Sequence, residues 1–128
     1  MSQPHPPRRL AVALLAACWA VSFCFLARPV QAHAILVGSS PVIGGTVPAG
    51  TVIIELRFNS RVDGPRSRVH LIAKDRTMNV VKTDAEAPPE MLRATAELQP
   101  GTYTLRWQVL AVDGHITRGD VPFTVVGP

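Results

Sequence analysis

Apolar and polar residues alternate with a period of two along much of the chain, which is typical of β-strands that bury one face. In the stretch TVIIELRF, Ile54, Leu56 and Phe58 fall on one face, whereas the charged Glu55 and Arg57 fall on the other. The run MLRATAEL could form a helical turn, but its alternating apolar positions favour a strand. Strands are predicted in this way at residues 51–58, 68–73, 78–81, 91–98, 102–112 and 120–126.

Turn-forming residues separate the predicted strands, as at Gly44-Gly45, Pro100-Gly101 and Asp113-Gly114. Such pairs mark tight turns between short strands. With a first strand ahead of the others, about seven strands predict an all-β fold, a small immunoglobulin-like antiparallel β-sandwich. Residues 98–103 (LQPGTY) resemble the tyrosine corner that fixes one loop in such sandwiches.

A strongly apolar leader precedes this domain and predicts a cleavable signal peptide at residues 1–32. Basic residues open the leader, an apolar run follows, and Val-Gln-Ala ending at Ala32 fits a signal peptidase site. Other readings stay open. The leader could be a retained membrane anchor, Cys18 could carry a lipid after a lipobox-like LAAC, and Arg8-Arg9 could direct twin-arginine export.

The predicted mature domain, residues 33–128, differs in composition from the whole chain. Both cysteines lie in the leader, so no disulfide is expected. The whole chain has a formal net charge of +4, but the domain alone is nearly neutral because several arginines leave with the leader. The domain has no basic run interleaved with aromatic residues, so nucleic-acid binding is not indicated. We expect a soluble, periplasmic monomer.

The domain keeps the histidines His33, His70 and His115. As the first mature residue, His33 would carry a free α-amine, and this amine and its own imidazole can close a chelate ring on one metal ion. Asp113 and His115 flank a turn glycine, so both side chains can point at the same ion. An amine, two imidazoles and a carboxylate suit Cu(II), which prefers tetragonal nitrogen and oxygen ligands.

Each feature also has a simpler explanation. A histidine at a mature N-terminus usually has no special role, and Asp-Gly is a common hairpin turn that would leave His115 exposed. The combination is more specific, because both features place nitrogen donors at strand ends. His70 lies within a predicted strand and is interpreted as surface or cross-strand packing, whereas Trp107 is assigned to the core.

Four motifs accompany these residues, namely HAILVGSSPVIG, IELRF, PGTYTLRW and DGH followed by FTV. Together they resemble the CopC family of periplasmic copper-binding proteins. The resemblance covers nearly all of residues 33–128 and is specific at the start and the end, but not in the middle. It implies a seven-stranded Greek-key sandwich that binds Cu(II) through His33 as a bidentate ligand, His115 as the third nitrogen and Asp113 as the oxygen donor.

The chain departs from the family pattern at two places. Some members bind Cu(I) in a loop rich in methionine and histidine, but residues 78–91 have no methionine cluster and no histidine. A member specific for Cu(II) is therefore predicted. Some relatives also carry an acidic residue soon after the phenylalanine of the second strand, where this chain has Asn59-Ser60-Arg61 after Phe58.

Three functions are compatible with these residues. The first is a non-enzymatic Cu(II)-binding protein of copper resistance and homeostasis, which sequesters copper or delivers it to a CopD-type membrane importer, as the resemblance implies. The second is a small copper oxidase or oxygenase with an N-terminal histidine chelate. Two features argue against this enzyme. The domain has few aromatic residues, and Asp113 would occupy the coordination position on copper that oxygen needs. The third is a metal-free immunoglobulin-like interaction module, which requires no particular N-terminus.

Overall fold

A computed structural model describes Ser2 and residues 33–127 of the 128-residue chain. The predicted signal peptide lies outside the described residues, apart from Ser2. Among the described residues, no helix is long and apolar enough to cross a membrane. Residues 33–127 contain eight strands, which are β1 (Leu36–Ser40), β2 (Gly45–Pro48), β3 (Gly50–Phe58), β4 (Arg68–Ala73), β5 (Met78–Val81), β6 (Met91–Leu98), β7 (Gly101–Leu110) and β8 (Ile116–Val126).

The strands form two sheets that pack face to face. One sheet has three strands in the order β1-β3-β6, and the other has five in the order β2-β8-β7-β4-β5. Paired neighbours run antiparallel, except that β2 and β8 are parallel. The chain crosses between the sheets several times, as in immunoglobulin-like sandwiches. The predicted all-β sandwich is therefore confirmed.

The core lies between the two sheets and is built from alternate residues of the long strands. Side chains on the inward faces of β3, β7 and β8 are almost completely shielded from water, so they supply most of the hydrophobic stabilisation. The faces predicted from the alternation are the buried ones, and Trp107 belongs to the core. The buried residues on these three strands include Ile54, Leu56, Phe58, Leu105, Trp107, Val109, Val121, Phe123 and Val125.

One additional strand and two shifted strand ends differ from the sequence-based expectation. Strand β7 ends at Leu110 rather than at residue 112. The structure has an eighth strand because β2 pairs along its length with β8. The glycines and the proline around β2 had indicated only turns. Strand β8 starts at Ile116 rather than at residue 120. Gly119 has low strand propensity, but the pairing of β8 with β7 continues as far as Leu110 opposite Ile116. The loop between these two strands is therefore short.

The predicted tyrosine corner is present at the start of β7. The hydroxyl group of Tyr103 donates a hydrogen bond of 2.8 Å to the backbone carbonyl oxygen of Gln99. This bond fixes the connection from β6 to β7, which passes from one sheet to the other. Strand β7 then runs to the opposite end of the sandwich, where the candidate site lies.

Candidate metal centre

A tight hairpin between β7 and β8 presents Asp113 and His115. The N–H of Ala111 donates to the carbonyl oxygen of His115 at 2.8 Å, and the N–H of Gly114 donates to the carbonyl oxygen of Ala111 at 2.9 Å. Gly114 has a φ of 85°, in the left-handed region that three-residue hairpin loops require at this position. The glycine thereby allows the two potential ligands to flank the turn.

Hydrogen bonds to a neighbouring loop brace the base of this hairpin. The N–H of Asp63 donates to the carbonyl oxygen of Leu110 at 2.8 Å. Ser67 is 2% exposed, and its hydroxyl donates to the carbonyl oxygen of Asp63 at 2.6 Å while accepting from the N–H of Leu110 at 3.3 Å. A buried hydroxyl with both partners in place is stable and rigid. The hairpin tip therefore projects from a fixed base.

The segment that precedes β1, which we call the N-terminal arm (residues 33–35), brings His33 to the same place. Ala34 is only 1% exposed and belongs to the core, so the arm is packed against the sandwich. The imidazole rings of His33 and His115 meet edge to face, with centroids 4.8 Å apart and an angle of 76° between their planes. The N-terminal arm and the β7–β8 hairpin thus meet at one end of the fold.

His33, Asp113 and His115 form one cluster. Each offers a potential ligand atom, and these atoms all lie within 4.8 Å of one another. The closest approach is between His115 Nδ1 and Asp113 Oδ2, at 3.1 Å. Imidazole nitrogens bind a first-row metal ion at about 2.0–2.1 Å, so donors on opposite sides of one ion are about 4 Å apart and adjacent donors about 3 Å apart. The cluster therefore fits one ion after small side-chain movements.

The environment of Asp113 favours its ionised form. The backbone N–H of His115 donates to Asp113 Oδ1 at 3.0 Å, and this bond is the main reason that the pKa of Asp113 lies below its usual value. The side chain of His115 and the charge of His33 lower the pKa further, whereas desolvation opposes them. The residue is thus a carboxylate near neutral pH, as an oxygen ligand must be.

His70, Met78 and Met91 lie outside this cluster. His70 is half-buried on β4, in register with Arg106 of β7 and Val80 of β5. Met78 opens β5 and Met91 opens β6. Sequence reasoning did not identify Asn59 and Thr117, which hydrogen-bond the N-terminal arm. Their hydrogen bonds to the arm are tertiary contacts, which the local sequence around either residue does not specify.

Most of this chain matches a known protein family. The model of the CopC domain matches residues 36–126. The chain belongs to the CopC family. Among curated proteins, Protein YobA of Escherichia coli K12 is 30% identical over 100 residues, which cover 75% of this chain and 81% of that protein.

Two solved structures of CopC-type proteins are similar to this chain. CopC from Methylosinus trichosporium OB3b superposes with a TM-score of 0.66 at 30% identity, covering 74% of this chain and 95% of that one. PcoC from Escherichia coli, described as a methionine-rich copper resistance protein, superposes with a TM-score of 0.63 at 26% identity, covering 74% and 100%. The present chain contains only three methionines, including Met1, so it does not share that richness.

Proposed function

We propose that this chain is an exported protein that binds one Cu(II) ion in the periplasm. Removal of residues 1–32 makes His33 the first residue of the mature protein. The amine and imidazole of His33, the imidazole of His115 and the carboxylate of Asp113 then bind the ion. The observation that carries this proposal is that the N-terminal arm lies beside the β7–β8 hairpin. One potential ligand atom from each of His33, Asp113 and His115 lies within 4.8 Å of the other two.

The donor set favours Cu(II) over other ions. Three nitrogens and one oxygen match the tetragonal coordination that Cu(II) prefers, and Cu(II) has the highest affinity among the divalent first-row ions. Cu(I) instead prefers soft thioether or thiolate ligands, and residues 33–128 contain only Met78 and Met91 and no cysteine. The proposed site is therefore selective for oxidised copper, unlike a methionine-rich site.

Copper is cargo in this proposal. Four protein donors fill the plane around the ion and leave no strongly bound position for a reacting substrate, which supports binding rather than catalysis. The two related solved structures are those of a CopC and of a copper resistance protein. By analogy, the protein contributes to copper resistance as a monomer that holds periplasmic copper or passes it to a CopD-type inner-membrane importer.

The test begins with the full chain, expressed with its leader and purified from the periplasm. Mass spectrometry identifies the first residue, and electron paramagnetic resonance (EPR) is recorded with one equivalent of Cu(II). We expect His33 at the N-terminus and a tetragonal signal with coupling to about three nitrogens. The protein without added metal is the baseline.

A matched control inserts Ser-Gly-Ser-Gly between Ala32 and His33, so that the mature chain begins four residues before His33. It keeps every side chain but moves the free amine away from the imidazole of His33. Two donors linked on one residue gain roughly 10²–10⁴-fold in affinity over separate donors, so we expect a Cu(II) dissociation constant weaker by about this factor. Equal affinity of the two proteins would refute the N-terminal chelate.

A further inference from the structure

One peptide group in the N-terminal arm is held from both sides. The carbonyl oxygen of Ala34 accepts a hydrogen bond from Thr117 Oγ1 at 2.8 Å, and the N–H of Ile35 donates to Asn59 Oδ1 at 2.8 Å. These two backbone groups belong to the same planar peptide unit, so bonds on its opposite edges fix its orientation. The N–H of Asn59 also donates to the carbonyl oxygen of Ile35 at 3.0 Å. We call Asn59 and Thr117 the arm clamp.

The arm clamp ties the arm to both sheets at once. Thr117 lies in β8 of the five-stranded sheet, whereas Asn59 directly follows β3 of the three-stranded sheet. Ala34, whose side chain is buried, is the residue next to His33. Thr117 is the second residue of β8, and His115 immediately precedes that strand. The hydroxyl group of Thr117 therefore connects the backbone next to His33 to the strand that follows His115.

We infer that Asn59 and Thr117 are positioning residues for copper binding, and this inference rests on the proposed function. Neither residue is one of the proposed ligands. They hold the arm so that the amine and imidazole of His33 face Asp113 and His115. Without the clamp, His33 still chelates an ion through its own two nitrogens, but that ion is no longer held against the hairpin. The clamp thus sets how many donors one ion receives.

The physical basis is preorganisation. An arm of a few residues at a free chain end has many backbone conformations, and binding that must select one of them loses affinity. Residues that orient metal ligands without touching the metal typically change metal affinity by about 10–100-fold when removed. The same range is expected here, because the arm carries two of the four donors.

The decisive comparison uses Thr117→Val and Thr117→Ser in periplasmic protein purified from the full chain. Valine keeps the shape of threonine but cannot donate to Ala34, whereas serine retains the hydroxyl. We expect Thr117→Val to bind Cu(II) about 10–100-fold more weakly in competition titrations, with EPR nitrogen coupling reduced from about three nitrogens to two. Thr117→Ser should recover the wild-type spectrum. Thr124→Val, an exposed threonine of the same strand, is the matched control and should change neither quantity.

A second variant tests the inference even if Thr117→Val fails to fold. Asn59 is exposed, so Asn59→Ala should fold normally while losing the acceptor for the N–H of Ile35. Copper-free protein should then show faster hydrogen exchange at the Ile35 amide, together with the same weakened, two-nitrogen copper signal. A variant that loses exchange protection but keeps the three-nitrogen signal would show that the clamp is only structural, and would overturn the inference.

The outcomes separate this inference from the proposed function. If wild-type protein fails to bind Cu(II) with about three nitrogens, the proposed function fails and the inference fails with it. If wild-type protein binds as proposed and both Thr117→Val and Asn59→Ala bind with wild-type affinity and spectrum, the inference alone is overturned. Loss of the third nitrogen in both variants, with recovery in Thr117→Ser, supports it.

Discussion

Replacement of Gly119 by alanine should destabilise the sandwich strongly, because an indole ring occupies the space that a β-carbon needs. Gly119 of β8 lies opposite Trp107 of β7 in the antiparallel register. A Cβ atom at this position would lie 2.7 Å from Trp107 Cε2 and 2.9 Å from its Nε1, and closer still to Cζ2. Trp107 is 6% exposed and packs edge to face on Phe58, with ring centroids 5.2 Å apart. Phe58 therefore blocks movement of the indole ring away from Gly119 on that side.

The magnitude follows from the rigidity of this contact. Overpacking a well-packed core destabilises by about 1–3 kcal/mol, and contacts of 2.9 Å or less with three atoms of a rigid ring favour the upper half of that range. Restricting the unfolded chain by replacing glycine offsets about 0.4–1 kcal/mol. We expect a net loss of about 2 kcal/mol, which lowers the melting temperature of a domain of this size by about 8–16 °C.

Urea denaturation of the copper-free mature protein measures this effect. Trp107 is the only tryptophan after residue 32, so its fluorescence reports on the site of the substitution. Gly64→Ala is the matched control, since a Cβ there meets nothing within 4 Å and the φ of Gly64 is not in the left-handed region. If Gly119→Ala is as stable as Gly64→Ala, the reasoning from the Trp107 contact is refuted.

Two further predictions concern the hairpin and the sheet surface. Gly114→Ala should reduce the free energy of unfolding by about 1–2 kcal/mol, which is the cost of a left-handed conformation for an L-residue. Gly114 has a φ of 85°, and a Cβ atom there would meet nothing within 4 Å, so the loss comes from the backbone alone. Gly114→Asn should lose less stability, and an alanine variant as stable in urea as the wild type would contradict the turn geometry. Asp120 accepts two hydrogen bonds of 2.9 Å from the guanidinium of Arg106, and these bonds, followed by the charge of Arg106, hold the pKa of Asp120 below its usual value. Because the folded pKa is depressed, the pair stabilises the fold above the unfolded pKa of about 3.9 and loses this contribution as the pH falls through the folded pKa. Melting temperatures of Asp120→Asn should thus lie slightly below wild type at pH 7 and converge with it as the pH falls through the folded pKa of Asp120. Both side chains are about half-exposed, so the difference is small. A gap that persists in acid would argue against the ion pair.

The sequence predicts the long strands well because their side chains alternate between core and solvent. The burial of Ile54, Leu56 and Phe58 is a direct consequence of that alternation. Strand β2 was not predicted because four residues between turn signals carry too short a pattern, and its pairing depends on β8 as a partner. The early start of β8 has the same origin, since the register with β7 overrides its weak local preference.

One part of the candidate site is predictable from local sequence, whereas the other part depends on tertiary contacts. Asp113 and His115 are two residues apart, so local turn chemistry around Gly114 is sufficient to predict that their side chains meet. The position of His33 depends instead on tertiary contacts, namely the burial of Ala34 and the two hydrogen bonds of the arm clamp. A change far along the sequence, at Asn59 or Thr117, can therefore alter the His33 half of the site while leaving the hairpin half intact. Copper affinity in this chain should consequently be more sensitive to the arm's packing than the donor residues alone would indicate.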